Sequence, residues 1–161
     1  MSAFPVYTLK NNGVTISTAI TVLQLAPGTA GPVEILRASL TQKGLTTSAV
    51  NETARVVQKS AAATVTTAVA DTHLFKQNQA FGTSNAVLGT AATGITASAE
   101  GTDSRSWGEL GFHPVNGYMW LPTDAEQIVI PQSGFCGIKF SAAPASSTWY
   151  GELVFRELRG G

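Results

Sequence analysis

Cysteine occurs once in the 161 residues, as Cys136, so no disulfide can close within the chain and no thiol pair is available for a CxxC-type metal or redox site. Charge is scarce and balanced, ten Lys and Arg against ten Asp and Glu. Binders of nucleic acid or of anionic membranes usually carry a clear basic excess, and none is present here. Long apolar runs are missing as well: no stretch approaches the roughly 18 residues of a membrane span. The start, Met1-Ser2-Ala3-Phe4-Pro5-Val6, has no basic region followed by an apolar run. The expectation is a protein made in the cytoplasm without a signal peptide.

In place of charge the chain has small and hydroxylated residues: 22 Ala, 20 Thr, 16 Gly and 13 Ser. With 43% hydrophobic residues it is far from the low-hydrophobicity, high-charge composition of disordered chains, and its length suits one domain over 1–161. Alternating apolar positions and β-branched residues dominate, and no helical spacing is sustained over eleven residues or more. The pattern predicts an all-β fold, a jelly-roll or related β-sandwich or barrel of eight to ten short strands. The clearest strand is 148–158, with Trp149, Gly151, Leu153 and Phe155 on one face and Tyr150, Glu152, Val154 and Arg156 on the other. Cys136, within Gly134-Phe135-Cys136-Gly137-Ile138-Lys139-Phe140, reads as a buried small hydrophobe in a strand. Turn residues predict hairpins at Asn116-Gly117, between 106–113 and 118–121, and at Pro131-Gln132-Ser133-Gly134, between 127–130 and 135–141. A further Asn12-Gly13 pair separates 6–10 from 14–25. The stretch 70–98 fits no strand pattern and reads as one long loop or arm insertion, either a surface excursion or a segment that orders against a neighbouring subunit.

Reactive side chains are few. Neither His73 nor His113 lies in a nucleophile motif, no Gly-Xaa-Ser-Xaa-Gly elbow occurs, and Asp103, Ser104 and His113 make a triad only on paper. Two separated histidines and one apolar cysteine do not make a zinc set. Asp71, Asp103 and Asp124 lack the spacing of a calcium loop, and no phosphate-cradling glycine motif is present. These absences predict no enzyme, no catalytic residue, no metal and no cofactor. The Asn51-Glu52-Thr53 sequon reads as a chance match. Trp107, Trp120, Trp149, Tyr118 and Tyr150 read first as core aromatics. Trp107 with Trp120 could alternatively form the stacking platform of a carbohydrate-binding module.

One segment resembles known proteins. Gly117-Tyr118-Met119-Trp120-Leu121-Pro122-Thr123-Asp124-Ala125-Glu126-Gln127-Ile128-Val129-Ile130, then the Pro/Gly turn, an Ala-Pro-Ala loop and the closing Gly151-Glu152-Leu153-Val154-Phe155-Arg156-Glu157-Leu158, resemble small virion proteins of tailed bacteriophages. The early Val6-Tyr7-Thr8 strand shares in the likeness, which fades between 61 and 98. The resemblance implies a virion structural protein of the capsid decoration or cement kind, with the neck, tail or a head fibre as other locations. It implies contact with the major capsid protein or other virion proteins and self-association, a trimer being favoured, with no nucleic-acid or membrane partner. The expected interface residues are then Phe4 of the N-terminal arm 1–5, Tyr7 of the first strand, and Leu74, Phe75 and Phe81 of the 70–98 insertion.

Overall fold

The computed structural model describes residues 4–18, 21–44, 51–68 and 73–158. Met1–Ala3 of the expected arm, residues 70–72 at the start of the expected insertion and the tail 159–161 lie outside the described residues. Thirteen strands occur among the described residues, and no α-helix: β1 Val6–Lys10, β2 Val14–Ile16, β3 Thr21–Leu25, β4 Val33–Gln42, β5 Glu52–Ala61, β6 Thr64–Ala68, β7 Leu74–Lys76, β8 Gly94–Ala99, β9 Thr102–Phe112, β10 Tyr118–Trp120, β11 Ile128–Ile130, β12 Phe135–Phe140 and β13 Ser147–Glu157. They form two antiparallel sheets. The first has the order β10-β4-β13-β1-β7, with β11 also on β4 and β2 also on β13; the second has the order β6-β8-β3-β12-β5-β9. The fold is all-β, as the alternation predicts, and two such sheets are consistent with a β-sandwich.

The core takes side chains from both sheets. Leu9, Ile35, Leu40, Trp149, Leu153 and Phe155 of the first pack with Leu23, Leu25, Val56, Cys136, Ile138 and Phe140 of the second. β13 shows why. Its alternate residues Trp149, Gly151, Leu153 and Phe155 are buried, whereas Tyr150, Glu152 and Arg156 are wholly or partly open to solvent. Gly151 sits where a Cβ would be 3.1 Å from Leu23 Cδ1, so its missing side chain leaves room for the facing sheet. Cys136 is fully buried, and desolvation pushes its thiol pKa up to about 12, which keeps it protonated and inert at neutral pH.

Strand number and pairing differ from expectation. The expected 14–25 strand is two strands in different sheets. Neither expected hairpin forms: β9 pairs with β5 while β10 pairs with β4, and β11 pairs with β4 while β12 pairs with β3 and β5. The turns are real, with Gly117 at φ +71°, but each carries the chain from one sheet to the other. At Asn12-Gly13 the chain continues along the same neighbour, because β1 pairs with 152–156 and β2 with 147–149 of β13. Asn11 Oδ1 accepts N–H groups from both Gly13 and Gly151 at 3.1 Å, which makes the interruption a side-chain-filled bulge.

The expected 70–98 insertion is shorter. β7 pairs with β1, and β8 pairs with β3 and β6, leaving 77–93 irregular. That remainder is tied to its own domain. Tyr7 Oη donates to the Gly82 carbonyl at 3.1 Å. Glu157 accepts from Ser84 Oγ at 2.6 Å, Asn85 N at 2.7 Å and Asn85 Nδ2 at 3.0 Å. Val87 N donates to the Ala26 carbonyl at 3.0 Å. The segment thus runs from the β7 edge of the first sheet to the second sheet and covers one flank of the molecule.

Candidate functional site

On the opposite flank the edge β10-β11 of the first sheet faces the edge β9 of the second. β10 and β11 lie in line along β4, Tyr118–Trp120 opposite Leu40–Ala38 and Ile128–Ile130 opposite Ile35–Val33. Between them 121–127 leaves the sheet. Its turn is fixed by Glu126, whose carboxylate accepts from Thr123 Oγ1 at 2.8 Å and Thr123 N at 3.2 Å; those bonds hold the Glu126 pKa below the usual carboxylate range. The excursion forms one wall of a groove of about 720 Å³, and β9 forms the other, with Arg105, Trp107, Gly108 and Leu110 facing Trp120, Leu121 and Val129. The volume falls within the roughly 300–1,000 Å³ of ligand pockets.

The groove is preorganised around Gly108. This residue has φ +60°, in the left-handed region that glycine tolerates, and a Cβ there would stand 2.7 Å from both Cγ and Nε1 of Trp120. The Trp120 indole therefore rests on the Gly108 backbone. Tyr118 Oη donates to the Gly108 carbonyl at 2.9 Å, and burial, with Cys136 nearby, raises the Tyr118 pKa and keeps that donor protonated. Gly108→Ala is expected to cost about 2–3 kcal/mol, combining φ strain with overpacking, and to displace Trp120. The checks are a chemical denaturation curve and the Trp emission maximum; an unchanged midpoint and spectrum would show that Trp120 does not rest on Gly108.

Trp107 and Trp120 thus share one groove, while Trp149 is core. The two partly buried indoles are thirteen positions apart in sequence and line the same groove because β9 and β10 lie on facing edges. Gln58 and Arg105, the polar pair at the groove, were not singled out by sequence reasoning. They are direct cross-strand partners on β5 and β9, a juxtaposition that only the pairing register reveals.

The expected interface residues fall on the other flank. Tyr7, Leu74 and Phe75 line one cavity of about 320 Å³ together with Ser84, Ala86 and Leu88. Tyr7 is a correction: it is 1% exposed, stacked on Phe155 at 5.7 Å between ring centroids, and so a core residue whose hydroxyl alone reaches the segment above. β1 is not an edge strand, since β7 covers it. Leu74 is half-buried and Phe75 exposed, with Lys10 Nζ 4.4 Å above the Phe75 ring, a cation–π contact. Phe81 is half-buried outside this cavity, and Phe4 is exposed just ahead of β1.

The second sheet carries an ionic cluster, buried on its lysine side, that sequence reading also missed. Lys59 is 0% exposed; its Nζ lies 2.7 Å from Asp103 Oδ1 and 3.2 Å from Glu100 Oε2. Lys139 Nζ lies 2.7 Å from Asp103 Oδ2 and 3.4 Å from Glu100 Oε2. Thr21 donates to Glu100 through its N at 2.8 Å and its Oγ1 at 2.6 Å. Desolvation raises the pKa of each carboxyl, but the hydrogen bonds and the two ammonium groups outweigh it and leave both below their ordinary values. Among the described residues no group of three His, Cys, Asp or Glu side chains is placed to hold a metal ion, and no helix is long and apolar enough to cross a membrane.

Fold and surface together define an all-β chain of two antiparallel sheets with one covered flank and one grooved flank. No protein-family model, curated protein or solved structure matches it.

Proposed function

We propose that this chain is a virion structural subunit of a tailed bacteriophage, a decoration or cement protein on the capsid exterior that works through protein–protein contact. The resemblance of 117–130 and 151–158 supports this reading. The structural observation that carries it is the β7 flank: Phe75, Val87 and Leu88 stay exposed on a segment already fixed by Glu157, Tyr7 and Ala26. Exposed apolar side chains on a preordered surface suit an interface, because little ordering entropy is left to lose on binding. The chain's alternation between sheets supports the jelly-roll form of the sandwich. The partners are the major capsid protein or another virion protein and further copies of this chain, with a closed trimer the favoured assembly. Repeated over a shell, standard contacts of roughly 1,600 Å² hold by avidity.

Purified particles from an infected or induced host should contain this chain in many copies. A Phe75→Asp/Leu88→Asp double variant should fold, by its circular dichroism spectrum, yet be depleted from particles at least tenfold. Finding the wild-type chain only in the soluble lysate would refute the reading.

A further inference from the structure

The groove on the opposite flank differs in chemistry from the β7 surface, and we propose that it binds polysaccharide, with sugars that carry a carboxylate preferred. A pyranose ring presents an apolar face of C–H groups and a rim of hydroxyls. It therefore needs flat aromatic surface beside planar hydrogen-bonding groups. Trp107 and Trp120 supply the first in one groove. Gln58 and Arg105 supply the second: they are cross-strand partners, both line the groove, and among the described residues neither side chain has a hydrogen-bond or ion-pair partner.

The commitment to a carboxylate follows from which polar groups are free. Glu126, the acid at the groove, is already occupied by Thr123, and Gln127 bonds to Asp124 at 3.3 Å and to Arg156 at 3.5 Å. The Arg105 guanidinium is left as a free fork of donors, a geometry that matches a carboxylate in bidentate fashion.

A peptide strand added to the free edge of β9 is the competing occupant, and the groove is poorly built for it. Gly108 breaks the extended edge at φ +60°, its carbonyl is taken by Tyr118, and Trp120 covers its backbone. A regular ladder along β9 would have to displace all three. Single-stranded nucleic acid shares the need for stacking, but Arg105 is the one basic residue among those lining the groove, which falls short of the basic track a phosphate backbone needs.

The test is calorimetric titration of the full chain with hexagalacturonate and with cellohexaose, followed by intrinsic Trp fluorescence. Hexagalacturonate should bind and shift the Trp emission, and cellohexaose should bind at least tenfold more weakly. Arg105→Gln, at an exposed position where the fold stays intact, should remove most of that difference, about tenfold in Kd for a charged hydrogen-bonding pair. Trp107→Phe should weaken both sugars while preserving the melting temperature within a few degrees. Lack of binding to either sugar at millimolar concentration overturns the proposal, as does equal binding of the two or an Arg105→Gln variant that behaves as wild type. Displacement of bound hexagalacturonate by an oligothymidylate of equal charge would reassign the groove to nucleic acid and likewise overturn it. None of these results bears on the β7 surface.

Discussion

Replacing Trp149 by alanine should lower the melting temperature by roughly 10 °C or more, the largest single effect expected in this chain. The side chain is fully buried at the point where the two sheets meet. Its ring is edge-on to Phe140 at 4.9 Å and to Phe112 at 6.0 Å between centroids, and both partners belong to the opposite sheet. Truncating a buried Trp costs about 3–5 kcal/mol through lost transfer energy and the cavity left behind. For a domain of this size each kcal/mol moves the midpoint by about 2–4 °C. The indole Nε1–H meets no acceptor among the described residues, so Trp149 stabilises by packing alone. Trp149→Phe should therefore recover much of the loss, since it keeps aromatic contact and removes an unpaired donor. Thermal denaturation followed by circular dichroism measures both. A fall below about 2 °C for the alanine variant would mean that the sheets are not joined there.

The second large effect is expected at Asp103. Asp103→Asn leaves Lys59 and Lys139 beside Glu100 alone, two ammonium groups against one carboxylate, with Lys59 wholly out of water. Removing one partner from a buried ionic group typically costs about 3–5 kcal/mol. The lower end applies here, because roughly a quarter of the Asp103 side chain remains exposed. Adding Lys139→Met restores charge balance, with Lys59 on Glu100, and should return part of the loss. The same cluster sets an acid limit. Glu100 and Asp103 have folded-state pKa values below their ordinary ones, so the unfolded chain binds protons first as pH drops. Their contribution is complete above about pH 5 and is lost as pH falls through about 4 and below, toward the folded-state values. The wild-type midpoint should drop between pH 5 and 3, and Glu100→Gln/Asp103→Asn should flatten that slope. Parallel slopes for the two proteins would show that these carboxyls titrate alike in both states.

The all-β class and the face of β13 were legible in sequence because alternation is a local property. Trp149, Leu153 and Phe155 point inward for the reason that every second residue of a half-buried strand does. Cys136 was legible from its apolar neighbours. Pairing was not. Asn116-Gly117 and Pro131 to Gly134 do turn the chain, but turn chemistry leaves open whether the next strand pairs with the last or crosses to the other sheet. Tyr7 reads as available for contact because nothing near it in sequence shows that 74–76 will cover the edge of β1. The groove was half visible: the two tryptophans were noted as a pair, whereas Gln58 beside Arg105 depends on the register of β5 against β9. Lys59 reads as a solvated lysine until Glu100 and Asp103 are placed above it.

Among the described strands no two consecutive ones are ladder partners, and β13, the last of them in sequence, lies between β4 and β1 in the middle of its sheet. On the ribosome, then, the first sheet has no centre until β13 has been made. Among the described strands no hairpin is available as a local nucleus, and joining β13 to β4 and β1 must bring together segments more than a hundred residues apart. Chains dominated by such non-local pairing fold slowly, in milliseconds to seconds. Until β13 is in place the inner faces of β1 and β4 are left waiting for their shared neighbour.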